Sequence, residues 1–384
     1  TGAYGAVVGG RTNVATGVKS FVGGGTLNTA AGELSTVGGG TSNTATQESS
    51  TVAGGVANKA TGAGSAVLGG GNHIASGTKA VVGGGDGNSA TGSWATVAGG
   101  AQNTAASNYS AVLGGYLNKA HEYASIAGGR ENTATGSRSF VGGGYNNFAA
   151  GAYSAVVGGS SNSASGTLSS IGGGYINSAT GVRSTIGGGF ANTAGAELSA
   201  VAGGGSNAAM AIKSFVGGGE ANVVTGEWST VAGGSSNYAT LDYGAVLGGR
   251  ANRADGVASA VGGGQSNSAT GTTAVVSGGQ SNTASSQSSG VASGDSNVAM
   301  DSYSFVGGGR WNTATGSANF VGGGQSNTAW SGLFIVVGGG VENVASGPSS
   351  FIGGGWYNSA SGPWSFVVGG WDNSAAAQAY GVVA

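Results

Sequence analysis

The sequence predicts an all-β parallel solenoid of about 25 coils, with two short strands per coil. Three observations predict it. An asparagine column recurs every 15 residues from Asn13 to Asn373, with one step of 14 and one of 16. Between asparagines the chain alternates with period two and is broken by glycines, as short strands and tight turns are. The composition is rich in glycine (87 residues), poor in charge (7%) and 39% hydrophobic, which suits a thin core of small side chains.

Aligned on asparagine, the chain reads N-x-A-x-G-x-x-S-x-V-G-G-G-x-x throughout. We number these slots one to fifteen. His73 replaces asparagine in one coil, Val224 replaces alanine in another, and Ala127 falls in the slot of the valine. The consensus has two similar halves, each alternating and each ending at glycine. One coil alone has no second face to bury its apolar side against, so stacking must make the core continuous. Parallel strands about 4.8 Å apart would make a rod of roughly 120 Å. No composition shift breaks residues 1–384, which read as a single repetitive solenoid. The chain starts and stops part-way through a coil without a polar cap, which suggests a window from a longer repetitive polypeptide or ends capped by neighbours in a filament.

Column composition separates inside from outside. The valine column (Val22, Val37, Val52) and alanine column (Ala30, Ala45) keep one size, as a close-packed interior demands. The asparagine column (Asn28, Asn43, Asn58, Asn88, Asn103) is as narrow, and buried asparagine must be hydrogen-bonded. Stacked coils offer it a ladder; the alternative is that asparagine suits a turn. The column before valine holds Phe21, Phe140, Phe215, Phe305, Phe320, Phe351 and Phe366, but also Thr36 and Ala66. Such mixed sizes point outward, and an outward apolar stripe predicts an interchain contact. The columns flanking alanine carry Thr29, Thr44, Lys59 and Arg253, and face water.

N-x-A-x-G-x-x-S-x-V-G-G resembles the head repeats of trimeric autotransporter adhesins, the YadA-like heads, over the whole chain. The departure is one extra glycine per coil; only the coil from Asn118 to Asn132 has the shorter period. The resemblance implies a left-handed parallel β-roll, three rolls about a threefold axis, and a location on the bacterial surface or a phage fibre. A triangular left-handed β-helix or a solenoid filament is the alternative architecture. No heptads mark the stalk of that family.

Several function classes are disfavoured. The V-G-G-G runs are never followed by Lys-Ser or Lys-Thr, so they lack the signature of a phosphate loop. The formal charge is −2 without a basic cluster, which gives no footprint for nucleic acid. There is no cysteine, and His73 and His121 lie about three coils apart, so no metal site or cofactor is expected. No nucleophile–base pair can be argued, and no enzyme activity is expected. No apolar run of about 18 residues marks a membrane-inserted helix. The flanking threonines resemble an ice-binding array but are interrupted by Lys59, Phe148, Tyr238 and Arg253. Trp311, Trp356, Tyr357, Trp364 and Trp371 are the candidate ligand edge, near a 16-residue coil expected to bulge. The expected function is an extracellular adhesin head or fibre, a homo-oligomer that contacts a glycan or matrix surface. A passive filament or phage-fibre spacer is the alternative.

Overall fold

In a computed structural model, which describes residues 3–376 and 382–383, each coil contributes two strands, nearly all two residues long. The chain divides into two units, Thr1–Ala191 and Asn192–Ala384. Both are parallel β-solenoids with the same coil plan. One strand carries the alanine, as in Thr29–Ala30; the other carries the valine, as in Thr36–Val37. Each strand pairs in parallel with its equivalent one coil on, Ala30 with Ala45 and Val22 with Val37. The same register holds in the second unit, where Ala345 pairs with Ala360 and Ile352 with Val367. A third line of single parallel bridges joins slot fourteen of successive coils, Thr26 to Thr41 and Val341 to Trp356.

The core is made of four columns. Val37, Ala45 and Asn43 are inaccessible to solvent, and so is Ser35 in slot eight. The serine column belongs to the interior; it is mostly serine, with small residues at Ala80, Ala95, Ala124, Gly244 and Ala274, and with Asn319 and Ile335 beside the 16-residue coil. The column before valine faces out.

Three slots per coil have positive φ. Slot thirteen is glycine, as at Gly40 (φ 90°), where a Cβ would lie 2.2 Å from the Gly55 carbonyl oxygen of the next coil. Only glycine fits that close approach. Slots seven and fifteen are also left-handed yet rarely glycine: Leu34 has φ 55° and Ser42 φ 57°. Left-handed backbone costs a side-chain-bearing residue about 1 kcal/mol or more. Stacking sets it here, because the Leu34 N–H donates to the Val18 carbonyl and the Ser42 N–H to the Thr26 carbonyl, both at 2.9 Å. Slot twelve has open space beside it, and Ser293 fills it once; Gly143, Gly218, Gly263 and Gly308 have φ of 149–159°, which suits glycine, and nothing in the structure explains glycine in the other coils.

The two irregular coils correct the simple count. In the 14-residue coil the missing residue lies in the first turn. His121 takes over two slots: its N–H donates to the Ala134 carbonyl and its carbonyl accepts the Ala124 N–H. Ile126, not Ala127, therefore enters the valine column, paired with Val112 and Val141. In the 16-residue coil the extra residue lies between Ala329 and Ile335. Ile335 takes the serine slot and Val337, not Val336, the valine slot. Both changes fall in turns, because a slip within a strand would turn every side chain to the other face.

Candidate functional site

The asparagine column is chemically closed. The Asn43 carboxamide oxygen accepts the Asn58 backbone N–H at 3.0 Å, and its nitrogen donates to the carbonyls of Gly39 and Gly55, both at 2.8 Å. The pattern recurs at Asn28, Asn58, Asn88 and Asn103. Direct amide-to-amide bonds are local additions, as from Asn358 to Asn343 at 3.0 Å. The ladder thus runs mainly through backbone groups. At the glycine run, the N–H of the first glycine and of the residue after the run are engaged: the Gly38 N–H donates to the Val52 carbonyl and the Thr41 N–H to the Gly55 carbonyl. Those N–H groups are unavailable to cradle a phosphate.

On the valine sheet the seven phenylalanines face outward; Phe21, Phe140, Phe305 and Phe320 are each 39% exposed. Neighbours stack, with Phe351 and Phe366 centroids 4.4 Å apart and Phe305 and Phe320 5.9 Å apart. Each phenylalanine shares its face with slot eleven, two residues on. The two slots trade size. Phe21, Phe140, Phe215, Phe305, Phe320 and Phe351 are followed by glycine in slot eleven; Phe366, with Val368, is the exception. Ala66, Ala111, Ala155 and Ala245 are followed by Leu68, Leu113, Val157 and Leu247. Thr51, Thr96 and Thr230 are followed by alanine. The ring lies over the glycine: a Cβ on Gly23 or Gly322 would meet Cε1 of Phe21 or Phe320 at 3.3 Å. Gly290 is buried in its turn beneath Phe305. The two slots are not both large except at Phe366 and Val368, but their sum is not constant: Thr36-Gly38, Ser170-Gly172, Ala260-Gly262 and Gly290-Ala292 are small in both.

The five candidate edge aromatics do not form one site. Trp356, Tyr357 and Trp371 cluster, with Trp356–Trp371 centroids 5.2 Å apart and Tyr357–Trp371 6.1 Å. Trp364 sits in slot seven, on the coil's other turn. Trp311 lies three coils before Trp356, its ring capped by the Arg310 guanidinium at 3.9 Å.

A longer aromatic array lies in the first unit. Lys79, Trp94, Tyr109, Tyr123, Arg138 and Tyr153 occupy slot seven of six successive coils. The Lys79 ammonium is 4.1 Å from the Trp94 ring centre. Trp94 stacks on Tyr109 at 6.3 Å, and Tyr109 on Tyr123 at 5.1 Å. Arg138 lies between Tyr123 and Tyr153, at 5.5 and 5.2 Å from their centres, and donates to the Tyr153 hydroxyl. The rings face one another along the stack, so they present edges outward. Counting slot seven separately in the sequence finds five of the six; at the 14-residue coil the count from Asn118 gives Ala124 in place of Tyr123. Beside it a shallow polar depression of about 430 Å³ is lined by Thr91, Gly92, Ala106, Ser107, Asn108 and Glu122.

The alanine sheet's outer face is rich in threonine and serine. Arg253, which is exposed, and Asp255, which is half-buried, pair across it at 2.6 Å. Among the described residues, no group of three acidic, histidine or cysteine side chains is placed to hold a metal, and no helix is long and apolar enough to cross a membrane. No protein-family model and no curated protein matches this chain.

Proposed function

We propose that this chain is a non-enzymatic extracellular fibre of the adhesin-head type, resembling the YadA-like heads, in which copies pack through the valine sheet as a trimer. The supporting observation is the outward phenylalanine column, in which the slots before and after valine are both large only at Phe366 and Val368. A surface facing only water has no reason to keep one slot small wherever the other is large. A surface packed against another regular one does, and an apolar face repeated coil after coil suits a second and third copy of itself. The low charge, −2 overall, places few charges to oppose such packing. The remaining edges, which include Trp356, Tyr357 and Trp371, would then be displayed to a glycan or matrix surface.

Sedimentation equilibrium of the wild-type chain and of a Phe351→Ser/Phe366→Ser variant tests the reading. Trimers for the wild type and loss of trimer in the variant support it. A monomeric wild type with the native circular-dichroism spectrum overturns the packing. Screening the intact chain against glycans and matrix proteins tests adhesion separately; flat binding everywhere leaves a passive spacer.

A further inference from the structure

We propose that the turn beside the 14-residue coil is a binding site for a neutral saccharide, one hexose unit in size, held by Glu122 and Asn108. The inference rests on the adhesin reading and names its ligand class.

The site arises from a deletion. In regular coils slot five lies close against its equivalent in the next coil; a Cβ on Gly92 would sit 2.0 Å from the Ser107 carbonyl oxygen. The coil after Ser107 has no residue of its own for that slot, since His121 fills two. Ser107 is thereby left without its usual cover, and the depression opens at that turn.

Its lining selects a polyol. The Glu122 carboxylate makes no ion pair among the described residues, so both oxygens can accept vicinal hydroxyls. The Asn108 amide oxygen is engaged by the Ser93 N–H at 3.1 Å, and its nitrogen has no protein acceptor among the described residues. The Thr91 hydroxyl donates to the Ala106 carbonyl at 3.1 Å and retains lone pairs to accept. No cation lines the depression, which disfavours an anion; the slot-seven cations Lys79 and Arg138 are committed to ring faces. One carboxylate is too few for a metal. Tyr109 and Tyr123 follow Asn108 and Glu122 directly in the chain and supply apolar ring edges at the same turn.

The test is saturation-transfer NMR on the full chain with the methyl glycosides of glucose, galactose and N-acetylglucosamine, and with N-acetylneuraminic acid. Three proteins are compared: wild type, Glu122→Gln, and a variant with glycine inserted between His121 and Glu122. The insertion restores the 15-residue consensus, so it should keep the fold, which a thermal melt checks. Transfer to at least one neutral glycoside is expected, with little to the acid. Affinity should fall about tenfold in Glu122→Gln, the effect of losing one charge-assisted contact, and transfer should vanish in the insertion variant. Unchanged binding in the folded insertion variant, or no transfer to any neutral glycoside, would overturn the site. Retained binding of the intact chain to matrix proteins in that case would leave the adhesin reading standing.

Discussion

The His73 ring nitrogen Nδ1 accepts the Asn88 backbone N–H at 3.0 Å, the place an asparagine carboxamide oxygen takes in its sibling coils. The opposite nitrogen, Nε2, is buried without a hydrogen-bond partner of ordinary geometry, although the Gly85 carbonyl lies on its side of the ring. Nδ1 can accept only when unprotonated, so the fold requires neutral imidazole. Burial lowers the His73 pKa from its ordinary value, more than the neighbouring Gly85 carbonyl and Asp86 raise it.

His73 therefore makes the first unit acid-sensitive. The unfolded chain binds a proton near pH 6.5 and the folded chain only below it, so stability rises with pH in that window. It is fully present above about pH 6.5 and is lost as pH falls toward the lower folded pKa. His73→Asn should remove this dependence and stabilise at pH 5.5. Thermal melts of both proteins at pH 5.5 and 7.5 check it; equal slopes with pH would oppose the assignment.

Removing one internal asparagine should cost far more than a typical substitution. Asn43→Ala leaves the Asn58 N–H and the Gly39 and Gly55 carbonyls without their side-chain partner. Each uncompensated buried group costs about 1–3 kcal/mol, so a loss of roughly 3–5 kcal/mol is expected. Urea denaturation gives the number, and hydrogen exchange should show the opening centred on that coil.

The serine column divides into two classes. Ser50 Oγ donates to the Gln47 carbonyl at 2.7 Å, and Ser110 Oγ to Ser107 at 2.6 Å. Ser139, Ser154 and Ser169 hydroxyls are buried without partners. Ser154→Ala should be neutral or slightly stabilising, whereas Ser50→Ala should cost about 1 kcal/mol. Parallel urea melts distinguish them, and an equal loss at both sites would contradict the division.

The trade across the valine strand predicts a rescue. Ala66→Phe beside Leu68 overfills the outer face and should weaken assembly. Adding Leu68→Gly recreates the Phe-Val-Gly pattern of residues 21–23 and should restore it. Sedimentation of the single and double variants reads the outcome; additive losses would mean the two slots do not share one packing surface.

Much of this fold was legible because each column answers to one constraint. Asparagine, alanine and valine keep their identity where the interior has one shape. The mixed Phe/Thr/Ala column marked the outer face for the same reason. The serine column was not assigned to the interior, since a small hydroxyl suits a turn as well as a core. Ile126 and Val337 were misplaced by counting from asparagine, because an unequal turn shifts the count while sheet register stays fixed. The left-handed backbone of Leu34 and Trp94 leaves no residue signature, since inter-coil hydrogen bonds impose it. The slot-seven aromatics carry no column signature, since the same exposed slot also holds Lys19, Leu34, Ser49 and Gly64. Of the five candidate edge aromatics, Trp356, Tyr357 and Trp371 cluster, whereas Trp311 and Trp364 lie elsewhere. The depression at Glu122 depends on which residue the 14-residue coil lacks, and spacing alone does not say.

The central claim is that the Phe-bearing face packs against copies of itself. The most direct test is the mass of the wild-type chain in solution by sedimentation equilibrium at micromolar concentration. The account predicts about three times the 35.9 kDa chain mass. A single species at 35.9 kDa, with its β-structure intact, would contradict it.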